Sequence, residues 1–483
     1  MAKKKALVAP RTLKGFQDFL PGDALLRAGV IRRIQDVFEL YGFSPVETPA
    51  LEHLDVLLGA GGEETNKELF RLESPEEEPI ALRFDLTVPF ARLMSQYPEQ
   101  IKAPFRRYAM GPVWRADKPG PGRFRQFTQV DIDAAGAATV AVDGEVVAVM
   151  CAVMAALNVP DYLVLINNRK LIDALLADCG IEETERQKHV LRVIDKLGKV
   201  GLDNIRKELG GGRIDDSGDP IAGVGLDEEV IARIVDFIGI EGADRRAVVA
   251  AMGEALSDGA KEALAEMAEL ADALDALGVS ENHARFDPSL ARGLDYYTGP
   301  VFEMILPQAR EFGTVMGGGR YNQLVERFMK QPIACTGMSV GLDRLLAALC
   351  HLGAVEAAPT AVQALVVTMG KVPTAETLKV AQELRAGGIH TETFFASKKK
   401  MQMGNQLSHA DHYGIPVAVI IGEDEIAQGV VSIKDLDAGK AGREDISDRE
   451  SYREAGKTGQ VTVAREAMVE TVRALVDAPD GAA

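Results

Sequence analysis

Arginines and glycines form the first chemically suggestive pattern in the sequence, in the stretch VWRADKPGPGRFRQFTQVDID (113–133). Arg115 ends one predicted strand, a tight loop of prolines and glycines follows, and Arg123 and Arg125 return on the next strand. Side chains two residues apart on a strand share a face, so Arg123 and Arg125 are expected to point together. Guanidinium groups bind phosphate oxygens in bidentate fashion, so this hairpin could clamp a polyphosphate. A solvated basic hairpin would carry the same pattern.

Two further stretches combine glycine with arginine. In GMSVGLDRLLAAL (337–349), Arg344 opens a predicted helix just after Gly341, where free backbone N–H groups suit an anion. In VMGGGRYNQL (315–324), three glycines precede Arg320 and permit a sharp bend or a close approach of the backbone to a ligand. Neither stretch is a Walker loop or a dinucleotide fingerprint, since GKS, GKT and GxGxxG are absent from both. Taken singly, each also fits an ordinary glycine turn.

Polar aromatic residues mark the stretch SLARGLDYYTGPVFE (289–303). It places Arg292, Asp295, Tyr296 and Tyr297 between glycines, just before an apolar run. A strand that only fills a core is built from Val, Ile and Phe, so these residue types suggest a binding role. A β-edge with a polar rim is the alternative, and for this stretch alone it is the better one.

The charge, the cysteines and the apolar segments of the chain limit which ligands and which cellular location are expected. The chain has 483 residues and a net charge of -18, yet seven basic residues stand against one acid between Lys102 and Phe127, so an anionic ligand is expected there. Four cysteines without a CxxC pair indicate neither a zinc site nor a disulfide framework. The N-terminal basic cluster has no apolar segment behind it, and the longest apolar run, which begins at Val146, is shorter than the ~20 residues that span a bilayer. A cytoplasmic protein is expected.

The order of predicted elements indicates an α+β chain of three parts. Short strand-like runs alternate with turns between Ile80 and Gln129, which favours an antiparallel sheet. Residues 169–282 have a helical period and predict an insertion, and strands then return. Beyond about residue 358, strands and helices alternate and predict a small α/β domain with a mostly parallel sheet. The expected domains are 1–168 with 283–358, 169–282, and 359–483.

Taken together and in this order, the stretches resemble the class II aminoacyl-tRNA synthetases, and among them the histidyl-tRNA synthetase family. RGLDYYTGPVFE and GGGRYNQLV resemble the two histidine-specific signatures of that family. VWRADKPGPGRFRQF resembles motif 2 of the class, GMSVGLDRLLA motif 3, and GFSPVETPALE the dimer-forming motif 1. LRFDLTVPFAR (82–92) resembles the amino-acid-binding strand, and the C-terminal α/β part resembles an anticodon-binding domain. The resemblance is weakest in residues 169–282.

The resemblance implies an ATP-dependent histidine–tRNA ligase that acts as a homodimer on L-histidine, ATP and tRNA(His). Mg²⁺ would accompany ATP as part of the substrate, and neither a prosthetic group, a protein-only metal site nor a membrane partner is implied. Arg115 and Arg292 would be the catalytic residues, and Arg115, Arg123 and Arg344 would bind ATP. Lys398, Lys399 and Lys400 would contact tRNA. Histidine would be bound by Asp85, Leu86, Thr87, Arg115, Gln129, Asp133, Arg292, Tyr296 and Tyr297.

Two departures from the commonest bacterial pattern resemble a eukaryote-like branch of the family. Ala116-Asp117 stands where that pattern has His-Glu, and Asp85-Leu86-Thr87 stands where it has Glu-Gly-Thr. Charge is kept at both positions, so the expected activity does not change.

Two other functions remain as alternatives. One is the synthetase-like regulatory subunit of ATP phosphoribosyltransferase, which does not aminoacylate. The retained RGLDYY, the motif 2 arginines and the full C-terminal part count against it. The other is a tRNA-sensing module, which would normally accompany a kinase, and the sequence has no kinase signature.

Overall fold

The computed structural model describes residues 8–59, 66–215, 218–291, 296–330, 332–397, 401–441 and 459–477. The chain divides into two compact units, one of residues 8–18 and 27–356 and the other of residues 19–26 and 357–477. The helical segment 169–282 is part of the first unit in this division. Among the described helices, none has the length and apolar composition needed to cross a bilayer.

The strands up to residue 356 are, in chain order, β1 (Ser44–Pro45), β2 (Leu51–His53), β3 (Arg71–Glu73), β4 (Pro79–Leu82), β5 (Phe105–Trp114), β6 (Gln126–Ala135), β7 (Leu163–Asn168), β8 (Gly212–Ile214), β9 (Pro220–Ala222), β10 (Ala284–Phe286), β11 (Pro300–Ile305), β12 (Met316–Arg320) and β13 (Cys335–Gly341). The helices are α1 (Pro21–Leu40), α2 (Leu54–Leu57), α3 (Thr87–Gln96), α4 (Ala141–Ala156), α5 (Arg169–Asp178), α6 (Thr184–Ile194), α7 (Leu197–Val200), α8 (Leu202–Leu209), α9 (Glu228–Ile238), α10 (Arg245–Ala255), α11 (Lys261–Ala276) and α12 (Leu342–His351).

An eight-stranded sheet forms the centre of the first unit, in the spatial order β1-β5-β6-β13-β12-β11-β7-β10. Only the two end strands, β1 and β10, run parallel to their neighbours. The prediction of an α+β fold around an antiparallel sheet is therefore confirmed. The long apolar helix α4 is buried, as its composition predicts, and Gly144 lets it approach Ala273 of α11 closely. Strands β2, β4 and β3 form a separate three-stranded sheet.

The stretch 82–92 differs from the predicted strand. Strand β4 ends at Leu82, and helix α3 begins at Thr87, so the residues between them form a loop. The Asp85 carboxylate accepts a hydrogen bond from the backbone N–H of Val88 at 3.0 Å. A carboxylate in this position satisfies a free N–H at the start of a helix, which favours the helix over a continued strand.

The helical segment 169–282 also contains a small antiparallel hairpin, β8–β9, that the helical period of the sequence does not indicate. The helical period of residues 169–282 is interrupted at Gly201, with α7 ending before it and α8 starting after it. Gly201 has a φ of +77°, a conformation that favours glycine and cannot continue a helix.

The second unit has the strands β14 (Ala364–Thr368), β15 (Thr391–Thr393), β16 (Val417–Ile421), β17 (Val430–Asp435) and β18 (Gln460–Ala464), and the helices α13 (Thr374–Ala386), α14 (Met403–Tyr413), α15 (Glu423–Gln428), α16 (Leu436–Ala441) and α17 (Met468–Val476). The sheet order is β15-β14-β16-β17-β18. The α/β expectation is confirmed, but the sheet is mixed, with β17 antiparallel to both β16 and β18. Parallel strands need a crossover of about a dozen residues or more, and residues 422–429 are too few for one.

A close approach of two strands makes one glycine of β12 necessary. A Cβ added to Gly318 would lie 2.0 Å from the carbonyl oxygen of Gly337 on β13. We expect Gly318→Ala to lower the free energy of unfolding by about 1–3 kcal/mol, because backbone atoms would have to move apart. Thermal unfolding followed by circular dichroism measures the effect. Gly29→Ala is the control, since Gly29 lies in helix α1 with open space around it and should be neutral or slightly stabilising. Equal midpoints for the two variants would contradict this account.

Candidate active site

A single cavity in the first unit brings together most of the residues that the sequence analysis selected. Its lining includes Asp85, Thr87, Arg115, Arg123, Gln129, Asp133, Tyr296, Tyr297 and Arg344. The side chain of Leu86 does not line the cavity and packs instead with Ala109, Val113 and Phe127. Arg292, Lys398, Lys399 and Lys400 lie outside the described residues.

Strand β6 supplies the polar floor of the cavity. Gln129, Asp131 and Asp133 alternate along it and therefore share one face of the sheet. The side-chain amide of Gln129 donates to the hydroxyl of Ser339 on β13 at 2.6 Å. The pairing register places Gly337 of β13 opposite Asp133, and a Cβ on Gly337 would lie only 2.3 Å from Asp133 Oδ1. Glycine at this position leaves the room that the carboxylate occupies.

Three tyrosines form an aromatic wall beside this floor. The rings of Tyr296 and Tyr297 lie edge to face with centroids 4.8 Å apart, and Tyr321 lies 5.9 Å from Tyr296. The Tyr321 hydroxyl donates a hydrogen bond to Asp133 Oδ1. Burial raises the pKa of Tyr296 and of Tyr321 well above the ordinary value, so both phenols keep their protons. The wall therefore presents aromatic rings with protonated hydroxyl groups, and the Tyr321 hydroxyl is held by Asp133.

A buried charged layer lies next to the floor, and sequence reasoning missed part of it. Arg107, directly opposite Asp133 on β5, places Nη2 2.5 Å from Asp133 Oδ2 and donates to the Leu86 carbonyl oxygen at 2.9 Å. Arg83 is also buried and donates to the carbonyl oxygens of Thr48 and Pro112. The alternation of Asp131 with Gln129 and Asp133 was the available signal for Asp131. Tyr321 stood within a quoted motif and Arg107 within the basic stretch between Lys102 and Phe127, but neither had a distinguishing pattern.

Burial changes the acidity of the three aspartates. Desolvation raises the pKa of Asp131 to about 7 and that of Asp133 to about 6, although Arg107 opposes both shifts. Burial also raises the pKa of Asp85, against the hydrogen bond from Val88 and the charge of Arg115. Burial thus opposes ionisation of Asp85 and Asp133, which line the cavity, and of Asp131, which is not among its lining residues in the described part of the chain.

Arginines surround the other side of the cavity. Arg115 follows β5 directly, donates from Nε to the Phe84 carbonyl oxygen at 3.1 Å, and lies 5.3 Å from the centroid of the Phe127 ring. Arg344, in the first turn of α12, donates to the Thr314 carbonyl oxygen at 2.8 Å. Together with Arg123, which lines the same cavity, these arginines suit a ligand with several negative charges.

Arg123 lines the same space and forms an ion pair with Asp117. Arg123 and Arg125 both precede the first residue of β6, so the predicted strand alternation does not apply to them, although both donate to Asp117. Within the described part of the chain, Arg125 is not among the residues that line the cavity, and its Nε donates to the Asp117 carbonyl oxygen at 3.2 Å. The strand alternation on which the prediction rested begins only at Gln126.

Helix α1 is tied to the arginine side of the cavity. Arg27 donates to Asp343 Oδ1 at 2.7 Å and to the Thr128 hydroxyl at 2.8 Å. Asp343 Oδ2 in turn accepts from the Thr128 backbone N–H at 2.7 Å. Since Asp343 precedes Arg344, this network fixes the start of α12 against β6. The sequence pattern gave no signal for Arg27, which looks like one more basic residue on a helix.

The raised pKa of Asp131 yields a pH-dependent prediction. Between pH 5 and 8 the folded protein must ionise a buried carboxyl that is already ionised in the unfolded chain, so this group's contribution to stability is lost as the pH rises through about 7. Asp131→Asn removes that loss. We expect the free energy of unfolding of the variant, minus that of the wild type, to rise by about 2 kcal/mol from pH 5 to pH 8.

Urea unfolding at several pH values measures this difference. Asp236→Asn removes an exposed carboxylate on α9 and serves as the matched control, with little change expected in the same comparison. A difference for Asp131→Asn that stays constant or falls with pH would contradict the proposed charge state.

Two family models together match most of the chain. The family model for histidyl-tRNA synthetase matches residues 15–345, and the model for an anticodon binding domain matches residues 363–475. A histidine–tRNA ligase of Paracoccus denitrificans is 41% identical over 98% of this chain and 99% of its own length. The crystal structure of histidyl-tRNA synthetase from Nostoc sp. PCC 7120 has a TM-score of 0.78 at 31% identity and covers 97% of this chain and 99% of its own.

A third relative bears on the non-aminoacylating alternative. The Bacillus halodurans structure described as an ATP phosphoribosyltransferase regulatory subunit/histidyl-tRNA synthetase has a TM-score of 0.69 at 22% identity, covering 86% of this chain and 99% of its own. At that identity the similarity concerns the fold alone. These relatives are bacterial, so they give no support to the expected eukaryote-like branch. From the matched models and the full-length identity, the chain belongs to the histidyl-tRNA synthetase family.

Proposed function

We propose that the protein joins L-histidine to tRNA(His) in two steps that share the cavity of the first unit. ATP first activates the histidine carboxylate, giving histidyl-adenylate and pyrophosphate, and a ribose hydroxyl of the terminal adenosine of the tRNA then takes the histidyl group. The observation that carries this proposal is the position of a carboxylate-and-tyrosine pocket beside three arginines in one cavity. Family membership supports the same reaction.

The first step requires alignment and charge neutralisation. The carboxylate of histidine is already an ionised nucleophile, so no general base is needed for its attack on the α-phosphorus. Fixed cations that face the developing charge lower the barrier, because they need not reorganise during the reaction. We assign Arg115 to the α-phosphate and Arg123 and Arg344 to the remaining phosphates. Mg²⁺ enters with ATP as part of the substrate.

The polar floor and the tyrosine wall are assigned to histidine. Neutral imidazole offers one N–H donor and one acceptor, and a selective pocket must satisfy both. Asp85, Thr87, Gln129 and Asp133 would meet the polar groups of the amino acid, and Tyr296 and Tyr297 would enclose the ring. A pocket of buried polar partners rejects a side chain that leaves them unpaired. Leu86 would contribute to the histidine pocket through its backbone carbonyl oxygen, which accepts a hydrogen bond from Arg107. Its side chain packs among apolar residues instead.

Several assignments rest on the family resemblance. Arg292 is proposed to bind the α-phosphate and the histidine carboxylate. Lys398, Lys399 and Lys400 are proposed to contact tRNA, and salt-dependent tRNA binding by their triple alanine variant would test it.

We propose that the protein is cytoplasmic and forms a homodimer. Sedimentation equilibrium would measure the mass of the assembly. The proposed domains are 1–168 with 283–358 for catalysis, 169–282 as an insertion and 359–483 for the anticodon, which limited proteolysis would test.

Amino-acid-dependent exchange of pyrophosphate into ATP tests the function directly. Histidine alone among the common amino acids should support exchange, and tRNA(His) should then accept the histidyl group. Absence of exchange with retained folding would favour the regulatory-subunit alternative. Exchange without any charging of tRNA would confine the activity to the first step.

Loss of one hydroxyl tests the tyrosine wall. Tyr297→Phe should raise the KM for histidine roughly 5- to 30-fold, the cost of about 1–2 kcal/mol for one unpaired polar partner. The KM for ATP should stay nearly constant, because the phosphate side is untouched. Steady-state exchange kinetics give both constants. Tyr162→Phe is the control, since Tyr162 is buried away from the cavity lining. An unchanged KM for histidine would leave Tyr297 as a packing residue.

Loss of one cation tests the arginine side. Arg344→Ala should raise the KM for ATP by roughly ten- to a hundredfold, since a hydrogen bond to a charged group contributes about 1.5–3 kcal/mol. The KM for histidine should change much less. The same exchange assay measures both. His351→Ala, at the exposed far end of α12, provides the control. Equal effects of Arg344→Ala on both KM values would refute a specific role in binding ATP.

A further inference from the structure

Burying the guanidinium of Arg107 costs free energy that a purely structural role does not explain. It is fully buried, and its Nε and Nη1 have no hydrogen-bond partner among the described residues. Its Cζ lies 4.7 Å from the centroid of the Phe90 ring, which cannot replace lost hydration. Replacing a buried ion pair by apolar side chains is often neutral or stabilising, so packing alone does not explain a guanidinium here.

The contacts that Arg107 does make converge on the histidine side of the cavity. Nη2 contacts both Asp133 Oδ2, at 2.5 Å, and the Leu86 carbonyl oxygen, at 2.9 Å. Asp133 lines the cavity, and Leu86 lies between two residues that do, Asp85 and Thr87. One nitrogen atom thus joins strand β6 to the loop before α3. Arg107 itself is absent from the cavity lining among the described residues, so it acts through its neighbours.

The surroundings of Asp133 show what Arg107 supplies. Burial opposes ionisation of this carboxyl, and so does the nearby charge of Asp85, whereas Arg107 and the Tyr321 hydroxyl favour ionisation. Without Arg107 the carboxyl would face only groups that are neutral or negative. The titratable and charged side chains that face it from the surrounding elements are Asp85, Arg107, Asp131, Tyr321 and Cys335.

We propose that Arg107 is a positioning residue for histidine, pairing with Asp133 and fixing its distance from the Asp85–Thr87 loop. The inference rests on the proposed function in one respect, the assignment of Asp133 to the histidine pocket. It adds a residue that never touches the substrate. The predicted consequence is a selective loss of histidine affinity when the guanidinium is removed, with the ATP side intact.

A double-mutant cycle between Arg107 and Asp133 tests the inference. In pyrophosphate exchange, Arg107→Met and Asp133→Asn should each raise the KM for histidine by about tenfold or more, with the KM for ATP within about twofold. The KM for histidine of the double variant should lie within about twofold of that of Asp133→Asn, because Arg107 has then lost the group through which it acts. Arg107→Lys keeps the charge and should fall between wild type and Arg107→Met.

Arg106→Met is the matched control. Arg106 is the adjacent residue of β5, its side chain lies on the opposite face, and it pairs with the partly exposed Glu145. Its KM for histidine should stay within about twofold of wild type. If Arg107→Met does not fold, Arg107→Lys takes its place in the cycle.

The outcomes separate the inference from the proposed function. Effects of Arg107→Met and Asp133→Asn that multiply in the double variant would show that Arg107 acts independently of Asp133, and would overturn the inference. So would an unchanged KM for histidine in Arg107→Met. An unchanged KM in Asp133→Asn would remove Asp133 from the pocket, and this role of Arg107 with it, while histidine-dependent exchange by the wild type would still stand.

Discussion

The antiparallel register of β5, β6 and β13 is the constraint on which the candidate site depends. It places Arg107 opposite Asp133 on one side and Gly337 opposite Asp133 on the other. The first pairing supplies a cation to the carboxylate, and the second supplies space for it. A slip of one residue would turn Gln129, Asp131 and Asp133 to the other face of the sheet. The register of these three strands therefore decides which side chains meet in the pocket.

The net charge of the chain is a poor guide to the local charge of this cavity. The chain carries -18 overall, yet one side of the cavity presents Arg115, Arg123 and Arg344. On the other side, burial makes ionisation of Asp131 and Asp133 costly, and Arg107 and, for Asp133, the Tyr321 hydroxyl offset part of that cost. In a site of low dielectric, a few fixed charges outweigh many solvated ones on the surface.

Sequence reasoning succeeded where a motif combined residue type with local geometry. The arginines at the end of β5 and the start of α12 could be placed because strand ends and helix starts are marked by glycine and proline. It failed where long-range pairing decided the outcome. Arg107 looked like any basic residue of its cluster, and only the fold shows it buried against Asp133.

Two further failures have local causes. Asp85 accepts a hydrogen bond from the start of α3, and this capping overrode the strand pattern of residues 82–92. In the second unit, the short connection between β16 and β17 forced an antiparallel pair into a sheet that alternation alone predicted to be mostly parallel. Strand direction depends on the length of the connection as well as on the order of elements.

The ion pair between Arg123 and Asp117 gives the mouth of the cavity its own counter-ion. Under the proposed function, an arriving phosphate would replace Asp117 as the partner of Arg123, so the guanidinium would be paired with an anion both before and after binding. The side chains are 53% and 33% exposed, and such a pair costs at most about 1 kcal/mol to break, which weakens anion affinity only about fivefold. If Arg123 binds a phosphate as proposed, Asp117 would compete for the same guanidinium and favour release of a phosphate-bearing product.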